Sequence, residues 1–139
     1  MPEEKPTWLK KDVWKRQGKD FLVEISRHTE PASSINPFEG ENRWCVYAYI
    51  YPKHRLFDRF DGENMLQDAA CCLPLHRGPS YLRAHRGSDG KICSYQVGAD
   101  YHHHGDDHFT HYENDKDAYQ VFLDAEALFE HLSPVVSEP

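Results

Sequence analysis

The nine residues Arg43 to Tyr51, "RWCVYAYIY", leave little choice of conformation. Aromatic and β-branched side chains favour a pleated strand, and Pro52 removes the next backbone N–H and ends the run. Side chains alternate across a strand, so Trp44, Val46, Ala48 and Ile50 share one face and Cys45, Tyr47, Tyr49 and Tyr51 the other. A strand of this kind belongs at the centre of a sheet that is covered on one side. The other side, lined by Tyr47, Tyr49 and Tyr51, is a candidate contact surface, because tyrosine offers large contact area at low entropic cost. Tyrosines lying under a loop explain the pattern equally well, and both readings stand.

The rest of the chain supplies neighbours for this strand. "DVWKRQGKDFLVEISRH" predicts a hairpin turned around Gly18 and Lys19, with Phe21, Val23 and Ile25 on one face. "TEPASSINPFEGEN" is a surface loop by its prolines, glycine and small polar residues. Met65 to Leu73 holds helix formers without a breaker and predicts a short helix ending at Pro74. Asp89-Gly90 between alternating runs predicts a second hairpin. Near the C-terminus, Ala118, Val121, Phe122, Ala125, Leu128, Phe129 and Leu132 fall on one side of a helix, with Asp124, Glu126 and Glu130 outside that stripe. Asn114, three residues before Asp117, is its predicted cap, and Pro134 blocks continuation. The expected fold is α+β: a single antiparallel sheet of about 4–6 strands with the amphipathic C-terminal helix packed on one face. One domain is expected over residues 1–139, with flexible tails at 1–6 and 133–139.

Composition narrows the function classes. Hydrophobic residues make up 39% of the chain and mean hydropathy is −0.81, so a core can form but it is thin and the surface heavily polar. No apolar run approaches the roughly 20 residues of a membrane span, and "MPEEKPTW" lacks the basic and apolar regions of a signal peptide. A cytoplasmic protein without membrane contact is expected. Cys45, Cys71, Cys72 and Cys93 form no CxxC pair, which predicts four reduced thiols. Residues 1–19 hold six Lys/Arg against three Asp/Glu, residues 20–99 nine against ten, and residues 100–139 one against ten. The formal charge of −7 is therefore concentrated in the last third, which disfavours direct nucleic-acid binding there. In the basic start, "WLKKDVWKRQGK", Trp8 and Trp14 could stack on bases, but a Lys-rich edge strand is the commoner arrangement.

The segment "GADYHHHGDDHFTHY" holds five of the ten histidines. If the strand before it continued, His102, His104, Asp106 and His108 would point the same way, and imidazoles about 7 Å apart along a strand can converge on one zinc or other divalent ion. Gly105 and the Asp106-Asp107 pair favour a turn that breaks this alternation. The spacing comes close to HxHxDH and to the cupin HxH without fitting either, and HExxH is absent. A polar loop is the preferred reading and a metal site the alternative; no cofactor is predicted.

GxSxG, GxxxxGK[ST] and GxGxxG are also absent, so an enzyme of a familiar class is not expected. Cys93 and His85 lie close across the second hairpin as a possible nucleophile and base, though a strand cysteine is more often structural. His76-Arg77-Gly78 and His85-Arg86-Gly87 read as turn chemistry. "NRWCVYAYIYPKH", "GPSYLR" and "VGADYHH" resemble small uncharacterised proteins encoded by bacteriophages and prophages of proteobacteria, over most of residues 18–132. That resemblance implies a setting in the host cytoplasm and transfers no activity. The favoured expectation is a non-enzymatic accessory protein that binds a host or phage protein through Tyr47, Tyr49 and Tyr51, or through the acidic residues Asp124, Glu126 and Glu130. The alternative is a metal-binding module or metal-dependent enzyme using the cluster at 102–108.

Overall fold

The alternating runs pair into one sheet. The structure, a computed structural model, describes residues 11–31, 35–103 and 105–134. Strands β1 (Lys11–Gln17) and β2 (Phe21–Thr29) form the first hairpin, β3 (Asn42–Ile50) follows the loop, and β4 (Tyr81–Arg86) and β5 (Ile92–Asp100) form the second hairpin. All pairings are antiparallel in the order β1-β2-β3-β5-β4, which puts β3 at the centre. A one-turn helix, α1 (Asp68–Cys71), and the C-terminal helix α2 (Tyr119–Leu132) complete the α+β fold. No helix among the described residues is long and apolar enough to cross a membrane.

The period-2 pattern sets which face is covered. Phe21, Val23, Ile25, Trp44, Val46, Ala48, Ile50 and Val97 point to one side and are buried. Val121, Ala125, Leu128 and Leu132 of α2 close over them, and burying each of the larger side chains contributes about 1.5–3 kcal/mol. β1 is an edge strand carrying Lys11 and Lys15, as expected. Trp14 is not free to stack on a base: its ring lies on Trp44 with centroids 5.6 Å apart and edge-on to Phe122 at 5.2 Å. Trp8, residues 1–6 and residues 135–139 lie outside the described residues.

The end of α2 is held by the chain after β3. His54 Nε2 donates to the Leu132 carbonyl at 2.8 Å, while Arg55 donates to the carbonyls of Leu132 and His131 at 2.8 and 2.6 Å. Together they satisfy carbonyls that a helix C-terminus leaves without intrahelical partners.

Two expectations are corrected. The helix over Met65–Leu73 shrinks to Asp68–Cys71. Asn64 Oδ1 accepts from Leu66 N–H at 3.0 Å, and Gln67 is tied to Asp61 by hydrogen bonds of 2.6 and 3.0 Å, so the first residues are drawn into a turn. Asn114 does not cap α2, whose cap position is Ala118. Its Oδ1 accepts from Asp117 N–H at 2.9 Å and its carbonyl from Ala118 N–H at 3.0 Å, forming a turn ahead of the helix.

Candidate functional site

The first region of polar chemistry is the sheet face opposite α2. The register places Lys15 and Glu24, Tyr47 and Tyr49, Gln96 and Gly98, and Tyr81, Arg83 and His85 side by side across it. Tyr47 meets Tyr81 edge-to-face at 5.5 Å, and Tyr49 stacks with His85 at 6.3 Å. Gly98 makes the Tyr47 position possible, because a Cβ there would lie 2.4 Å from Tyr47 Cδ1. Tyr47, Tyr49, Tyr51 and Tyr81 are all half-buried. Burial pushes the Tyr47 hydroxyl above its ordinary range, and burial followed by the nearby Glu24 pushes Tyr49 up to about 12. Both stay neutral at physiological pH and can donate or accept hydrogen bonds.

On the opposite side of the molecule, Glu126 and Glu130 are exposed on α2, whereas Asp124 is half-buried and accepts from the Tyr101 hydroxyl at 2.6 Å. Asp124 thus anchors a core tyrosine. A cavity of about 340 Å³ between β1 and α2 is lined by Trp14, Val23, Ile25, Phe122 and Phe129. The Arg16 guanidinium sits over the Phe129 ring at 3.9 Å at this cavity.

The four cysteines are free, with Cys45 buried and the others exposed. Cys45 is pushed up to about 11, first by burial, which leaves it a thiol. Cys93 Sγ is directed at the His85 carbonyl, and the His85 ring is engaged by Gln96 Oε1 at 2.8 Å and by Tyr49. The pair is not arranged as nucleophile and base.

The second region is the histidine segment, and there the strand stops at Asp100. Gly105 adopts φ 92°, a left-handed conformation that glycine takes without steric cost, and Asp106 N–H donates to the His103 carbonyl at 2.9 Å. The chain therefore turns where an extended strand was needed. His102 pairs with Glu39 at 2.7 Å, away from Asp106. His108 is exposed and its ring packs against Phe109 at 4.1 Å. His104 lies outside the described residues. Of the described members of the expected set, only Asp106 sits at a point of convergence.

That point is built by residues the spacing did not select. Asp106 is 1% exposed. It accepts from His76 Nε2, 3.0 Å from each carboxylate oxygen, and its Oδ2 accepts from the His103 backbone N–H at 2.9 Å and His103 Nδ1 at 3.1 Å. Arg77 Nε stands 3.4 Å from Oδ1. Burial pushes the carboxyl up, but the His103 backbone N–H and the His76 hydrogen bond and charge, aided by the His103 ring, outweigh it and hold Asp106 below its ordinary value. The His76 ring lies flat on Tyr101 at 4.3 Å and edge-on to Phe109 at 5.3 Å. These contacts tie the 74–78 turn to the 101–106 turn and fully occupy a buried carboxylate, which is a stabilising role by itself.

No family model, curated protein or solved structure matches the chain.

Proposed function

We propose that this chain is a non-enzymatic accessory protein of the bacteriophage or prophage type, which binds a folded host or phage protein through the tyrosine-lined face of its sheet. One observation carries the reading: α2 covers a single face of the five-stranded sheet, and the other presents Tyr47, Tyr49 and Tyr81 beside Arg83 and His85. Aromatic and arginine side chains are the types enriched at protein interfaces. Charge favours a protein over a nucleic acid. On this face Lys11, Lys15 and Arg83 stand beside Glu24 and Asp100, and Arg43 is paired with Glu30 and Glu39, whereas nucleic-acid affinity rests on a large excess of cations along the phosphates.

The test uses Tyr49 and Arg83, whose side chains lie outside the core on the opposite face. A photo-crosslinking residue at position 49 should capture one protein from host or infected-cell lysate, identified by mass spectrometry. With that protein purified, Tyr49→Ala and Arg83→Ala should each weaken binding by about tenfold or more, a hot-spot loss of at least about 1.4 kcal/mol. Glu126→Ala with Glu130→Ala on the far side should leave it unchanged. Binding that follows the helix variants, or no captured protein, would overturn the proposal.

A further inference from the structure

Apart from the sheet face, the two turns that meet at Asp106 have the composition and placement of a metal centre. His76, His103 and Asp106 each offer one ligand atom, and these atoms lie within 4.8 Å of one another. We infer that His76 Nε2, His103 Nδ1 and Asp106 Oδ2 form a binding site for one divalent transition-metal ion, with zinc the reference ion.

The donor set is chemically apt. Two imidazoles and a carboxylate suit zinc and neighbouring first-row ions, and three protein ligands leave at least one position for water or a further ligand. The geometry is nearest to a bound one at the carboxylate, and the two ring nitrogens, within 4.8 Å of each other, close further when an ion binds. The nitrogen-to-oxygen separations of 3.0 and 3.1 Å approach the roughly 3.3 Å expected between ligands about 2.0 Å from a tetrahedral ion. In the metal-free chain the ring N–H protons fill the space between these atoms. Moving each proton to the other ring nitrogen, or releasing it to solvent, frees the lone pairs that an ion takes.

The surrounding contacts match those of a metal centre as well as a latch. Arg77 Nε lies beside Oδ1, and the His103 backbone N–H donates to Oδ2. They hold the carboxylate in place, as outer contacts commonly orient a ligand, with Oδ2 the oxygen that both rings reach. Tyr101 and Phe109 form an apolar wall behind His76. Access comes from the opposite side, where His103 lines a polar hollow with Asn36, Glu39, His102, Gly105 and Asp107. His103 Nδ1 also stands 3.4 Å from Asp100 Oδ1, which puts a second carboxylate at the edge of the site.

The experiment is a zinc titration of untagged protein stripped with chelator and dialysed, read by competition with a chromophoric chelator. One equivalent per chain should bind. His103→Ala should weaken that binding more than about 100-fold, since loss of an outer contact alone costs 10–100-fold. The triple variant His102→Ala, His108→Ala, His111→Ala should keep it. Because removing His76 also removes its stacking on Tyr101, His76 is tested in the unaltered chain. Long-range nitrogen–proton NMR should show His76 Nε2 and His103 Nδ1 shifting together up to one equivalent, while His102, His108 and His111 stay in place. No stoichiometric binding, or binding that survives His103→Ala and is lost in the triple variant, overturns the site. Shifts spread over all the histidines would do the same.

Discussion

Acidification should weaken this fold through His54. The side chain is 6% exposed and packs edge-on to Phe21 at 5.6 Å. Its Nδ1 accepts from Leu56 N–H at 3.1 Å, and its Nε2 donates to the Leu132 carbonyl at 2.8 Å. Both nitrogens are satisfied by the neutral ring with its proton on Nε2; a second proton on Nδ1 would face an N–H donor. Two effects compete. A helix C-terminus favours a cation by about 0.3–1 kcal/mol, and the Leu132 carbonyl and Asp20 act in that direction. Burial, the largest influence, acts against it and Arg55 adds to burial, so the folded pKa lies below 6.5. The folded chain then binds fewer protons than the unfolded one. The contribution is fully present above pH 6.5 and is lost as pH falls below that value towards the folded pKa, with a slope of up to about 1.4 kcal/mol per pH unit. Urea unfolding of the native chain and of His54→Gln, followed by tryptophan fluorescence between pH 8 and 5, measures the effect. Glutamine keeps a donor for the Leu132 carbonyl but does not titrate. At pH 8 the native chain should exceed the variant by about 1–3 kcal/mol, the cost of leaving a buried group unpaired, and the margin should shrink as the pH falls from 6.5 to 5. A constant margin would refute the reasoning. A margin that grows on acidification would show that the helix end holds a charged imidazole.

Three further substitutions probe the framework. Gly98→Ala places a Cβ 2.4 Å from Tyr47 Cδ1 and 2.5 Å from the Val46 carbonyl oxygen, so it should cost about 1–3 kcal/mol in urea unfolding; adding Tyr47→Ala should not restore the loss, because the backbone clash remains. Tyr101→Phe removes the 2.6 Å hydrogen bond to Asp124 and should cost about 1.5–3 kcal/mol, with hydrogen exchange at Asp124 and Ala125 accelerated relative to the sheet. Arg55→Ala frees the His131 carbonyl and leaves the Leu132 carbonyl to His54 alone, and should speed amide exchange in the last turn of α2 with a loss of about 0.5–1.5 kcal/mol.

What was legible in the sequence follows from where physical periodicity survives. β2, β3 and α2 each pack one face into the core along their length, so their apolar residues must recur at the period of the backbone, and Phe21, Val23, Ile25 and the Trp44-to-Ile50 set could be assigned from alternation alone. The segment before α1 had no such constraint. Leu66 is 86% exposed, and without an apolar stripe to pack, a helix there gains nothing against the local hydrogen bonds of Asn64 and Gln67.

The histidines failed for a related reason. Alternation predicts a shared direction only while the chain stays extended, and β5 ends at Asp100, so His102 and His103 exchange the roles that a strand would have given them. Gly105 was the visible warning. The partner across the site, His76, is 30 residues away from Asp106, and no local spacing could connect them. A physical signal was nevertheless present in the composition around Asp106. Phe109, Thr110 and Tyr101 mark that stretch as entering the core, and a carboxylate carried into the core with them must find donors. In a C-terminal third with one Lys/Arg against ten Asp/Glu, those donors had to be backbone N–H groups, histidines, or a cation from elsewhere in the chain. His76-Arg77-Gly78, a turn carrying an imidazole and a guanidinium, is such a source, and its place beside Asp106 is the consequence of that demand.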